Sequence, residues 1–185
     1  GLLVSQMNTG ASPDAYFSCD QSFLEMVSDR FYPGTTVSSN RAVLLVKKGN
    51  PSEIQGLQDI CTPGLKVGLA HPEKSALGAL SVRLLEGAGL LERFEASGNL
   101  MLDSATGDFL VNQMRTGSLD AAIVYRSNAA EVMHELDIIE LREHAASATQ
   151  PFAVARSSHH PRTLARLLDA LTEPGSRARF YDQGF

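Results

Sequence analysis

The chain alternates between short, mainly apolar runs and longer stretches in which apolar residues recur every three or four positions. The apolar runs at 41–47, 66–70 and 119–125 predict buried strands, because a strand covered on both faces lacks regular polar alternation. Helical spacing at 75–86 and 107–115 predicts helices with one buried face. Weaker patterns predict strands at 15–18, 100–102, 138–139 and 151–155, and helices at 2–7, 21–27, 54–60, 163–171 and 176–181. This alternation predicts an α/β fold with mostly parallel sheets.

The run at 119–125 ends in Tyr125, which a short polar turn follows. A tyrosine hydroxyl at a strand end lies where open α/β sheets bind their ligands. A half-buried ring with a satisfied hydroxyl is the commoner role of a lone tyrosine, so both interpretations stay open here.

Two loops lead from a predicted strand into a predicted helix with small residues. They are Ser75-Ala76-Leu77-Gly78 and Thr106-Gly107-Asp108. A helix N-terminus exposes unpaired N–H groups and the positive end of the helix dipole, which suits an oxyanion. Ser75 and Thr106 could equally be ordinary helix N-caps.

Composition restricts the partners of the chain. With 185 residues and 43% apolar content, it has enough material for one large or two small domains. The formal charge is −5 and there is no basic run, so we expect no nucleic-acid or anionic-membrane binding. No apolar run is long enough to span a bilayer, and we expect no direct membrane insertion. The absence of an initiating methionine predicts that the sequence is a piece of a longer protein.

Motifs of common enzymes are absent, including the nucleophile elbow, the zinc-binding helix and the glycine-rich nucleotide loops. Cys19 and Asp20 could be a nucleophile beside a carboxylate, but a buried free thiol is the simpler interpretation, and we expect the same of Cys61. The pair His159-His160 precedes a proline and indicates a surface turn rather than a metal site.

A collinear set of motifs covers essentially the whole chain: PDAYFSCD at 13–20, VLLVKKGNP at 43–51, LKVGLAHP at 65–72, AAIVYRSNA at 121–129 and FYDQGF at 180–185. Together they resemble the periplasmic molybdate-binding proteins of ABC transporters, which have the type 2 solute-binding fold. The resemblance implies two α/β lobes with a cleft between them. Residues 1–40 and 126–185 would form lobe 1, residues 41–125 lobe 2, and hinge crossings would fall near 40–45 and 123–126.

The resemblance also implies a ligand set of neutral donors around a tetrahedral oxyanion, molybdate or tungstate, with no cofactor and no metal. Gly1 falls at or beside a serine ligand of the family, and the preceding strand, helix and strand are missing. Lobe 1 is therefore expected to be incomplete and the chain truncated at its N-terminus. The implied ligand-binding residues are Gly1, Ser75, Ala76, Leu77, Thr106, Gly107 and Tyr125, with Cys19, Asp20 and Asp108 as additional cleft residues.

The resemblance implies a periplasmic or extracellular receptor that delivers its oxyanion to the membrane permease of an ABC importer and performs no chemistry. A membrane anchor in a missing N-terminal segment stays open. Two alternatives use the same fold: the ligand-sensing effector domain of a regulator, and an enzyme in which Cys19 or Asp108 is catalytic.

Overall fold

The computed structural model describes residues 1–104, 106–143 and 146–185. Its strands are β1 (Ala15–Phe17), β2 (Thr35–Lys47), β3 (Val67–Ala70), β4 (Leu100–Ser104), β5 (Ala121–Tyr125), β6 (Leu136–Glu140) and β7 (Ser147–Val154). Its α-helices are α1 (Leu2–Asn8), α2 (Gln21–Glu25), α3 (Ala76–Gly87), α4 (Leu91–Ser97), α5 (Gly107–Arg115), α6 (Arg126–Ala129), α7 (Pro161–Thr172) and α8 (Pro174–Asp182). Short 3-10 helices lie at Ser28–Arg30, Asp59–Cys61 and Ala130–Val132. The predicted α/β class is confirmed.

Two compact units make up the chain. The first comprises 1–40, 148–183 and 185, and the second comprises 41–147 and 184. Residues 126–147 group with the second unit, and the division into two lobes stays a prediction.

The second unit contains strands in the order β6-β2-β5-β3-β4. β3 runs parallel to both β4 and β5, whereas β2 runs antiparallel to β5 and to β6. Among the described residues of this unit, parallel pairing is thus limited to three strands. Residues 42–46 of β2 are all at most 1% exposed. A strand buried on both faces has the same apolar composition in either direction, so its sequence did not reveal the direction.

The parallel strands β4, β3 and β5 end at one edge of this sheet. The backbone N–H of His71, just after β3, donates to Ser104 O at the end of β4 at 2.7 Å. β3 leads into α3, β4 into α5 and β5 into α6. Both candidate helix N-termini and Tyr125 therefore lie at the same edge.

The first unit pairs β1 with β7 antiparallel, from Ala15 opposite Val154 to Phe17 opposite Phe152. Val37, Phe152 and Leu164 form a buried cluster in this unit. The apolar face of α7 thereby packs on the sheet.

Three of the differences between the structure and the predicted elements have a clear origin in the sequence. β2 begins at Thr35, before the predicted start at residue 41. The prediction missed this first half because it is polar and only partly buried and so lacks an apolar signal. The helix predicted at 54–60 is only a 3-10 turn, preceded by positive φ at Asn50 (46°) and Glu53 (50°). Helix α4 was not predicted, because only Phe94 is buried in its seven residues.

An ion pair joins β2 to the start of β5. Lys47 Nζ lies 2.6 Å from Asp120 Oδ1, and Lys66 N–H donates to Asp120 Oδ2 at 2.9 Å. Burial of the Asp120 carboxyl acts to raise its pKa, but these two donors outweigh burial and lower the pKa below the usual 3.8. A lowered carboxyl pKa stabilises the fold above the unfolded-state pKa, and that stabilisation is lost as pH falls through the folded-state pKa.

Asp120→Asn is therefore expected to lower the melting temperature at pH 7. The deficit should begin to shrink as the pH falls below 3.8, where the carboxyl of the unfolded chain becomes protonated, and should disappear below the lowered pKa of the folded state. Thermal unfolding followed by circular dichroism from pH 7 to pH 2.5 measures this, with Asp169→Asn on the exposed surface of α7 as control. A deficit independent of pH would show that the charge of Asp120 does not stabilise the fold.

Candidate functional site

The N-terminus of α3 presents backbone N–H groups at the edge where β3 ends. Ser75 occupies the N-cap with an extended backbone (φ −133°, ψ 134°), and its side chain makes no capping hydrogen bond. The first helix-type bond runs from Ala79 N–H to Ser75 O at 3.0 Å. The N–H groups of Ala76, Leu77 and Gly78 precede it and have no acceptor within the helix.

Gly78 sets how closely this helix approaches the strand. A Cβ at Gly78 would lie 2.4 Å from Ala70 O and 2.4 Å from both the carbonyl carbon and the oxygen of His71. These are backbone atoms of the end of β3 and the residue after it, so no side chain fits between helix and strand. The glycine is required for the position of the N–H groups.

The N-terminus of α5 lies at the same edge. Thr106 is its N-cap, and Thr106 Oγ1 accepts a hydrogen bond from Phe109 N–H at 3.3 Å. The turn before it is fixed by Ser104, whose Oγ donates to Thr106 O at 3.0 Å and accepts from Thr106 N–H at 3.2 Å. Thr106 is thus an ordinary N-cap. The N–H groups of Gly107 and Asp108 lie in the first turn of α5 and have no acceptor within the helix.

Asn128 connects α5 to the end of β5. Its Oδ1 accepts from Tyr125 N–H at 3.2 Å, and its Nδ2 donates to Asp108 Oδ1 at 2.8 Å. A Cβ at Gly107 would lie 2.4 Å from Asn128 Oδ1, so the amide packs directly on the glycine. The second unit thus brings together Gly107, Asp108 and Tyr125 through a residue that the sequence analysis did not select.

The site residues predicted in the first unit lie in local environments different from those at the edge of the second unit's sheet. Asp20 is the N-cap of α2, where its carboxylate accepts from Ser22 N–H at 2.8 Å and from the Ser22 hydroxyl. Gly1 is the N-cap of α1 and is half-buried. Cys19 and Cys61 are both free thiols, but Cys19 is exposed. The expectation that Cys19 is buried is wrong, because it follows the three-residue strand β1 at the surface.

His71 follows β3 at this edge. His71 Nδ1 accepts from Glu73 N–H at 3.1 Å, and its Nε2 lies 3.8 Å from Asp103 Oδ2. In residues 1–104, 106–143 and 146–185, no group of three or more His, Cys, Asp or Glu side chains could hold a metal ion. Nor does any helix in these ranges have the length and apolar character needed to cross a membrane.

The sequence of this chain matches a known protein family. The model of the bacterial extracellular solute-binding proteins matches residues 1–185. The molybdate-binding protein ModA of Mycobacterium tuberculosis is 26% identical over 187 residues, which cover 98% of this chain and 68% of that protein.

Two solved structures share the fold. The periplasmic molybdate-binding protein of Azotobacter vinelandii superposes with a TM-score of 0.79 at 15% identity, covering 100% of this chain and 82% of that chain. A two-component system protein that mediates signal transduction superposes with a TM-score of 0.83 at 16% identity, covering 99% of this chain and 72% of that chain. These likenesses confirm the periplasmic-binding-protein fold implied by the sequence motifs. The chain belongs to the family of bacterial extracellular solute-binding proteins.

Proposed function

We propose that this protein binds a small tetrahedral oxyanion, molybdate or tungstate, and presents it to the membrane permease of an ABC importer. One observation carries the proposal: two helix N-termini and Tyr125 lie at the shared edge of three neighbouring parallel strands of the second unit. The ligand-binding groups proposed there are the N–H groups of Ala76, Leu77 and Gly107 together with the Tyr125 hydroxyl. Ser75 lies beside them.

Neutral donors suit a doubly charged anion. Each helix N-terminus carries roughly half a positive elementary charge and several N–H groups without acceptors. Two such ends at the same edge of the sheet can stabilise a dehydrated anion without a buried cation. The Ser75 side chain makes no capping bond to α3 and adds a hydroxyl at the same turn.

The molybdate-binding relative from Mycobacterium tuberculosis supports the choice of ligand, and the family supports a location outside the cytoplasm. We propose a periplasmic or extracellular receptor that performs no chemistry and holds no cofactor. Gly1, Cys19 and Asp20 belong to the first unit, and their part in binding stays a prediction.

A second function, the effector domain of a signalling protein, is favoured by the likeness to the two-component system protein. Reconstitution with a molybdate permease in proteoliposomes separates the two. An importer receptor raises ATP hydrolysis by the transporter in the presence of molybdate. A sensor domain binds the anion and leaves that rate unchanged.

Isothermal titration with molybdate, tungstate, sulfate and phosphate tests the binding itself. We expect heat of binding and a higher melting temperature with molybdate and tungstate. Tyr125→Phe should weaken binding about tenfold or more, because a hydrogen bond to a charged group is worth roughly 1.5–3 kcal/mol. Tyr181→Phe is the control, since Tyr181 is 80% exposed. The absence of both heat and a thermal shift with all four anions would refute the proposal.

A further inference from the structure

We propose that Asn128 is a positioning residue of this site, which holds the Asp108 carboxylate away from the anion and fixes the first turn of α5 to Tyr125. The inference rests on the proposed oxyanion site. It concerns a residue that would not contact the anion through its own side chain.

The first step is geometric. The Asn128 amide is held on two sides, with Oδ1 3.2 Å from Tyr125 N and Nδ2 2.8 Å from Asp108 Oδ1. Its third neighbour is Gly107, where a Cβ would lie 2.4 Å from Oδ1. A single planar group therefore sets the distance between the N-terminus of α5 and the backbone of the tyrosine.

The second step is electrostatic. Asp108 is the second residue of α5, and a carboxylate in a first helical turn is attracted to the unpaired N–H groups of that turn. Those are the groups that the oxyanion would use, so a free Asp108 side chain competes with the ligand. No Lys, Arg or His side chain within the described part of the chain forms an ion pair with Asp108. Asn128 Nδ2 is the donor that draws the carboxylate aside.

The third step is chemical. Position 128 must accept a hydrogen bond from Tyr125 N–H and donate one to a carboxylate, and the asparagine amide does both. An aspartate there could still accept from Tyr125 N–H, but it would face Asp108 with a second negative charge. The pair thus has a defined polarity, with the acceptor at 108 and the donor at 128.

The polarity can be exchanged experimentally. Asn128→Asp should weaken binding of molybdate about tenfold or more, as measured by titration calorimetry at pH 8. The double variant Asn128→Asp with Asp108→Asn places the donor at 108 and the acceptor at 128. It should restore affinity to within about threefold of wild type, because the hydrogen bond is re-formed with its donor and acceptor exchanged and the charge of the pair is unchanged.

Asn112→Asp is the matched control, because it adds one negative charge to the exposed part of the same helix. It should change the affinity less than about twofold. That result would show that the added charge on α5 alone does not cause the loss of affinity in Asn128→Asp. Wild-type affinity in Asn128→Asp, or no recovery in the double variant, would overturn the inference.

The same proteins separate this inference from the proposed function. If wild type binds none of the four oxyanions, the proposed function fails, and melting temperatures decide the role of the pair. If Asp108→Asn restores the melting temperature that Asn128→Asp lowers, the result would support the hydrogen bond between residues 108 and 128. Equal melting temperatures for the single and the double variant would overturn it.

Discussion

Gly78→Ala is expected to abolish high-affinity oxyanion binding and to lower the free energy of unfolding by about 2–3 kcal/mol. The added methyl group would lie 2.4 Å from backbone atoms of Ala70 and His71. Backbone at the end of a buried strand cannot move aside as a flexible side chain does. The start of α3 must therefore move, and with it the N–H groups of Ala76 and Leu77 that we assign to the anion.

Gly87→Ala is the control for this prediction. Gly87 is the last residue of the same helix, and a Cβ there meets no atom within 4 Å. Alanine at such a helical position is expected to be neutral or to stabilise by up to about 1 kcal/mol. Urea unfolding measures both variants and titration calorimetry measures their affinity for molybdate. Wild-type affinity and stability in Gly78→Ala would mean that α3 accommodates the methyl group and that its close approach is not required.

The sequence predicted the elements of the site better than its internal contacts. Both helices begin within one residue of the predicted starts, because small residues and a hydroxyl side chain precede an apolar face in each. Ser75 and Thr106 looked alike in sequence, yet only Thr106 caps its helix with a side-chain bond. That difference depends on the side-chain torsion, which the residue type does not determine.

Asn128 shows what sequence reasoning missed and why. It stands three residues after Tyr125, in a polar turn, where an asparagine commonly bonds nearby backbone. Its second bond goes to Asp108, 20 residues earlier in the chain. No local pattern predicts that contact, because it follows from the parallel order of β4, β3 and β5.

Asn99 holds the other end of these strands and was likewise not selected from the sequence. It is 2% exposed and immediately precedes β4. Its Nδ2 donates to Ile60 O at 2.8 Å and to Thr62 O at 2.7 Å, and its Oδ1 accepts from Gly64 N–H at 3.2 Å. The side chain thereby ties the loop before β3 to the start of β4, and these two strands lead into both helices of the proposed site.

Asn99→Ala is expected to lower the free energy of unfolding by about 1–3 kcal/mol, since a buried polar group left without a partner costs about that much. Of the three groups that lose Asn99, only Ile60 O is buried, since Thr62 and Gly64 are exposed residues. Val67 N–H donates to the backbone oxygen of Asn99 at 2.9 Å and keeps that partner. Urea unfolding measures the loss, with Asn112→Ala on the exposed side of α5 as a control expected to stay within about 0.5 kcal/mol. A loss below about 1 kcal/mol would mean that water replaces the amide, and the loop would then not depend on Asn99. A loss of about 1–3 kcal/mol would show that the second unit depends for its stability on Asn99 at the junction of β3 and β4, the two strands that lead into both helices of the proposed site.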